Sequence, residues 1–146
     1  MGENGPEKVN ISTLTKGRKT IVVGLPGAFT GTCTTAHVPS FIRTKAALEE
    51  KGVEEIICVA VNDPFVMAAW SDSTGAGAAG IMMLADPAAE FTKAIGMNFN
   101  APPVGFFDRC TRFSAYVEDG VVKVVQMEEA RGVCEMTAGE TMLDAI

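Results

Sequence analysis

The sequence predicts an α/β fold with a central mixed β-sheet flanked by helices, and three observations carry that expectation. Short β-branched or apolar runs at residues 20–24, 56–61 and 81–85 alternate with helix-like segments, the order of parallel βαβ units. Asp63-Pro64 and Asp86-Pro87 follow the second and third runs, placing a capping carboxylate and a first-turn proline where a helix would begin. Asp119-Gly120 joins two alternating runs, 113–118 and 121–125, as a two-residue hairpin turn. With 146 residues, 47% hydrophobic and 21% charged, the chain is long enough to bury a core and is read as one domain over 1–146.

Taken in order, residues 1–19 are polar and contain glycine, as in a turn or short hairpin leading to the first strand. Residues 25–32 hold Pro26, Gly27 and Gly31 and form a loop whose backbone approaches something closely. A helix is expected over 34–50, with Phe41, Ile42, Ala46 and Leu48 as apolar positions. Pro39 should kink or restart it, and Lys51-Gly52 should stop it. Residues 56–61 are continuously apolar, as in a central strand covered on both faces. The helix opened at Asp63 carries Phe65, Val66, Met67 and Trp70; the one opened at Asp86 runs through Ala94 and ends at Gly96. A loop with Pro102-Pro103 leads to the hairpin, and residues 138–146 close the chain as a helix. The βαβ units, hairpin and closing helix together describe a thioredoxin-like fold.

Charge and composition exclude several classes. Twelve Lys and Arg stand against 18 Asp and Glu, a net charge of −6, which argues against nucleic acid or an anionic membrane as a main partner. The first residues lack the apolar core of a signal peptide, and no apolar run reaches the length of a membrane span. The expected compartment is the cytoplasm, or a mitochondrion or other organelle if a targeting segment has been removed. The sequon Asn10-Ile11-Ser12 has meaning only in a secreted chain. Cys33, Cys58, Cys110 and Cys134 are widely spaced, with no Cys-x-x-Cys and no Cys/His cluster, so a metal site is not expected and each thiol is judged by its surroundings.

The organising stretch is residues 24–33, a Gly/Pro loop that ends on Cys33 just where a strand gives way to a helix. Unpaired N–H groups and the helix dipole at that junction favour negative charge. A free thiol has a pKa of about 8.5, and a helix N-terminus with a nearby cation lowers it to roughly 3.5–7.5. Pro26-x-x-x-Thr30-x-x-Cys33 resembles the active-site signature of the peroxiredoxins. The run 26–30 with His37-Val38-Pro39-Ser40-Phe41 is similar to the peroxiredoxin-5 (type II) subfamily. So, in the same order, are Val61-Asn62-Asp63-Pro64-Phe65-Val66 with Trp70, Leu84-Ala85-Asp86-Pro87, Arg112-Phe113-Ser114 and Glu118-Asp119-Gly120.

The resemblance implies a thiol-dependent peroxidase that reduces hydrogen peroxide, alkyl hydroperoxides and peroxynitrite through a cysteine sulfenic acid, with no metal, haem or flavin. It implies Cys33 as the nucleophile and Thr30 as its hydroxyl partner, with Pro26 shielding the pocket. Arg112 would stabilise the thiolate and the transition state, and backbone N–H groups near Thr32 and Cys33 would add donors. Arg112 is preferred to Arg109 because it directly precedes the aromatic residue that opens the strand. Electrons would come from thioredoxin, glutaredoxin or a similar thiol donor. Some members resolve the sulfenic acid with a second cysteine near the C-terminus, for which Cys134 is the candidate; others use an external thiol. The subfamily also implies a homodimer.

Other readings stand beside these. Cys58, in the most apolar strand, is read as core, and Cys110 as a packing thiol. His37, the only histidine, lies four residues after Cys33 and is read, with Thr32, as pocket support that hydrogen-bonds near the loop; a Cys/His nucleophile–base pair is the alternative. Residues 75–80 match G-x-G-x-x-G, but a helix precedes them and a strand follows, the reverse of a dinucleotide site. A redox relay that passes oxidation to a partner protein, and an interaction module with an inert Cys33, are the competing functions.

Overall fold

The computed structural model describes residues 1–146 and is built on a five-stranded sheet with an attached two-stranded ribbon. β1 (Lys19–Gly24), β2 (Glu55–Ala60) and β3 (Met82–Ala85) run parallel, and β6 (Phe113–Glu118) and β7 (Val121–Met127) add antiparallel strands on the other side of β1. The order is β3-β2-β1-β6-β7. This is the mixed, helix-flanked thioredoxin-like sheet the sequence predicts.

Alternation along β2 shows why that run is apolar at every position. Ile56, Cys58 and Ala60 join one core with Phe41, Met67, Trp70 and Met142, while Ile57 and Val59 join a second core with Val22, Phe113 and Ala115. The first core is closed by α2 (Val38–Glu50), α3 (Pro64–Thr74) and α5 (Gly139–Ala145), the second by α1 (Ile11–Thr15) and α4 (Glu90–Ala94). Both faces of the central strand are therefore covered.

The local signals act as expected at most element ends. The Asp63 carboxylate accepts from the amides of Phe65 and Val66, and Pro64 occupies the first helical position. Gly52, with φ +92°, follows the end of α2, and Asp119 and Gly120 both take positive φ in the tight turn between β6 and β7.

Four departures have physical causes. The expected 34–50 helix is two pieces: a π-turn, Cys33–His37, then α2, with the Val38 amide bonded to the Cys33 carbonyl five residues back. Pro39 has no N–H to continue the first register and sits in the first turn of α2 as its restart. α4 begins at Glu90, later than Asp86-Pro87 suggests, because Ala89 adopts a left-handed conformation. The Asp86 carboxylate still reaches the amides of Phe91 and Thr92 at 3.3 and 2.8 Å. The loop expected around Pro102-Pro103 is the tip of a second hairpin, β4 (Asn98–Ala101) and β5 (Phe106–Cys110), turned by the 3₁₀ segment Pro102–Val104 and Gly105. Near the N-terminus α1 adds a helix the polar composition hid, capped by Asn10.

Gly24 ends β1 where it crosses β6, and a Cβ there would lie 2.1 Å from Phe113 Cε1 and 2.8 Å from Cys110 Sγ. Gly24→Ala is expected to lower stability by roughly 1–3 kcal/mol, the usual cost of overpacking. Chemical denaturation checks it; an unchanged midpoint and slope would show that the strand crossing has slack.

Candidate active site

Two strand ends assemble the site. Antiparallel pairing of Gly24 with Phe113 brings the loop after β1 and the turn before β6 to the same end of the sheet. Cys33 comes from the first and Arg112 from the second, 79 residues apart in sequence.

The loop between Gly24 and Cys33 is tied down at several points. The Ala28 amide donates to Asn62 Oδ1 at 2.9 Å, and Arg109 Nη1 donates to the Pro26 carbonyl at 3.0 Å. The Thr30 hydroxyl donates to the Gly27 carbonyl at 2.7 Å, leaving its lone pairs free to accept from a ligand. A Cβ on Gly27 would stand 2.3 Å from Arg109 Nη1, so a side chain there would displace the guanidinium that holds the Pro26 carbonyl. The amides of Thr32 and Cys33 have no acceptor within the protein, as befits the opening turn of a helix.

Cys33 is 1% exposed and Arg112 is 6% exposed. Arg112 Nη2 donates to Cys33 Sγ at 3.4 Å, and Nη1 lies 3.0 Å from His37 Nδ1. No carboxylate stands at ion-pair distance from this guanidinium. Behind it, His37 Nε2 is 3.0 Å from the Thr137 carbonyl. An arginine only donates and a carbonyl only accepts, so the hydrogen-bond partners assign the neutral tautomer with its proton on Nε2. Burial, with the Arg112 charge adding to it, pushes the His37 pKa down to about 3. His37 is thus a fixed neutral spacer, held by Arg112 and Thr137 and not by the loop. A His37 base paired with Cys33 finds no support, because Arg112 occupies the ring nitrogen such a base would use.

Pro26, Thr30, Thr32, Cys33 and Arg112 line one cavity of about 890 Å³. Its other walls come from the hairpin residues Phe99 to Phe106 and from Glu128 to Gly132. Thr32 supports the wall by donating from Oγ1 to the Gly132 carbonyl at 2.8 Å. Cys134 is half-buried, its sulfur 3.8 Å from Thr137 Oγ1, and burial raises its pKa, partly offset by that hydroxyl. All four cysteines are free thiols. Burial lifts the Cys110 pKa to about 12 and raises that of Cys58 as well, consistent with packing roles for both.

Three supports were not singled out as site residues by the sequence, although Asn62 falls within a matched motif. Asn62 anchors the loop, the Thr137 carbonyl accepts a hydrogen bond from His37 Nε2, and Glu128 accepts from the backbone of Glu135 and Thr137. Each acts across a long sequence separation or through a backbone atom, which residue spacing does not reveal. Arg109, the reserve candidate, serves the loop carbonyl and stacks over Phe106 at 4.8 Å.

The family described as Redoxin matches residues 2–141. The chain is 43% identical over 140 residues to peroxiredoxin-2E-2, chloroplastic, of Oryza sativa subsp. japonica, covering 94% of this chain and 62% of that protein. It is 40% identical to peroxiredoxin-2F, mitochondrial, of Arabidopsis thaliana, covering 93% and 67%. The chain belongs to the peroxiredoxin family, in its peroxiredoxin-5 (type II) subfamily. Among solved structures, reduced Prx3 of Vibrio vulnificus in complex with hydrogen peroxide superposes with a TM-score of 0.86 at 38% identity, covering 92% of this chain and 81% of that one. This peroxiredoxin chain therefore spans about three fifths of the rice protein's length and about four fifths of the Vibrio one.

His37 has a folded pKa below its unfolded value of about 6.5, so the unfolded chain binds the extra proton between the two. Its contribution to stability is expected to be lost as pH falls from about 6.5 toward 3. His37→Gln, which keeps one donor and one acceptor, should flatten that slope. An imidazole signal titrating near pH 6.5 in the folded protein would contradict the buried neutral assignment.

Proposed function

We propose that this chain is a thiol-dependent peroxidase in which Cys33 attacks hydroperoxides. The observation that carries the reading is the buried Arg112 guanidinium, which has no carboxylate partner and donates to Cys33 Sγ at 3.4 Å. A buried cation of this kind is balanced by negative charge placed on the sulfur. In the reaction, the Cys33 thiolate forms a bond to the terminal peroxide oxygen, which keeps its hydrogen, the O–O bond breaks, and the departing alkoxide or hydroxide takes a proton from solvent, equivalent to the one the thiol released. The products are Cys33 sulfenic acid and an alcohol or water. Arg112 and the unpartnered amides of Thr32 and Cys33 supply positive potential where charge develops, and Thr30 accepts from the hydroperoxide O–H. Pro26, which lines the same cavity, would shield the sulfur from bulk water.

Hydrogen peroxide needs little more space than a water molecule, about 30 Å³. The cavity of about 890 Å³, walled by Phe99, Val104 and Phe106, supports alkyl hydroperoxides among the substrates. The reductant is a thiol donor of the thioredoxin or glutaredoxin class, acting on the sulfenic acid directly or on a Cys33–Cys134 disulfide. Exposed Phe29, Val104 and Phe107, beside residues that line the cavity, support a homodimer. Relatives named chloroplastic and mitochondrial support an organelle as readily as the cytoplasm expected from the sequence.

Peroxide titration of the reduced protein with mass spectrometry tests this. Cys33→Ser is expected to abolish turnover, while Arg112→Ala and Thr30→Val each slow it by about 10²–10³-fold, the scale of losing one preorganised transition-state contact. An active Cys33→Ser variant would overturn the assignment. One equivalent of peroxide giving an internal disulfide in wild type, and sulfenic acid in Cys134→Ser, would make Cys134 the resolving thiol. Sulfenic acid in both would assign that step to an external donor.

A further inference from the structure

Glu128, the residue after β7, makes an unusual set of contacts for a surface-edge carboxylate. Its single oxygen Oε1 accepts from the Thr137 amide at 2.8 Å, the Thr137 hydroxyl at 2.6 Å and the Glu135 amide at 2.9 Å. These bonds staple together the two ends of the segment 128–137. Desolvation opposes the charge, but the hydrogen bonds from Thr137 and the Glu135 and Met136 backbone outweigh it and hold the carboxyl below its ordinary range.

Both things the staple fixes belong to the Cys33 pocket. Glu128 itself and the following residues to Gly132 form one wall, anchored to Thr32 through the Gly132 carbonyl. Thr137, at its far end, offers its carbonyl to His37 Nε2 and to Ser114 Oγ, each at 3.0 Å. From His37 the chain of bonds continues to Arg112 Nη1 and from Arg112 Nη2 to Cys33 Sγ.

We propose that Glu128 is a positioning residue for the peroxidase reaction: by fixing Thr137 it sets the place of the His37 ring and so the aim of Arg112 at the Cys33 sulfur. The proposal rests on the peroxidase reading of the site. Glu128 itself need not touch a peroxide or the sulfur. Every link is a directional bond with only one sense, so a displacement of the Thr137 carbonyl passes to the guanidinium. The neutral His37 ring has no second acceptor to turn to, and the buried Arg112 has no carboxylate to fall back on.

The test is a double-mutant cycle on the second-order rate of Cys33 oxidation by hydrogen peroxide in single turnover. Glu128→Ala is expected to lower that rate roughly 10–100-fold, the scale on which removing the partner behind a functional ligand acts. In the Arg112→Ala background the same change should cost less than about twofold, since the group it aims is gone. Glu128→Gln keeps an oxygen that can accept all three bonds and should stay within about threefold of wild type. If Glu128→Ala does not fold, Thr137→Val, which removes one of the three donors, should show the same dependence on Arg112 with a smaller loss. Equal losses in both backgrounds, or no loss in wild type, would overturn the proposal and leave Glu128 a loop staple. Absence of Cys33 oxidation in the wild-type protein would instead remove the peroxidase reading on which it stands.

Discussion

One buried positive charge governs this molecule's functional end. Arg112 is withdrawn from water and faces a thiol, a neutral imidazole and no carboxylate. A guanidinium so placed is costly unless something nearby carries negative charge, and Cys33 is the group in reach. The same arrangement in a low-dielectric pocket makes the cation effective toward charge that appears only during reaction. The neutrality of His37 matters for the same reason. A protonated ring would repel Arg112 and lose the acceptor that holds it.

The sheet explains how two distant residues come to share that pocket. β1 and β6 are sequence-remote but adjacent, and their register fixes the end of one strand against the start of the other. The wide turn at Cys33–His37 then lets the sulfur and the imidazole both face the guanidinium. A π-turn is an uncommon element, and π-turns are often found where side chains must be re-aimed at a functional site. Pro39 lets α2 resume at once, so the distortion stays local. Trp70, fully buried, donates from its indole to Thr34 Oγ1 and ties the turn to α3.

Beside the turn that carries Thr111 and Arg112, the cavity is walled by three unconnected stretches: the loop after β1, the β4–β5 hairpin and the segment after β7. Each is held by bonds to backbone atoms. Arg109 holds the first, pairing of Asn98 with Cys110 and Phe99 with Arg109 holds the second, and Glu128 holds the third. A pocket framed by carbonyls and amides depends on a few side chains that can reach them, which is why single residues far from the sulfur have leverage on it.

The sequence by itself determined the alternation of strands and helices, the Asp63 cap, the Asp119-Gly120 hairpin and the two-sided burial of β2, and its family resemblance offered Cys33, Thr30 and Arg112 as a candidate set. Most of those signals are local: side-chain periodicity, turn chemistry and a short spacing around one cysteine; Arg112, 79 residues from Cys33, was offered only by the collinear family resemblance. Tertiary structure alone decided the rest. The hairpin at 98–110 is stabilised by pairing across Pro102-Pro103, a stretch whose local preference is for a turn. The late start of α4 follows from the left-handed Ala89, which the Asp86-Pro87 pattern does not disclose. His37 found its partners in Arg112 and Thr137, 75 and 100 residues away, and Glu128 acts through amides that carry no residue-type signature. Local propensity is written in neighbouring residues, whereas a relay of single hydrogen bonds exists only once the sheet register has brought its members together.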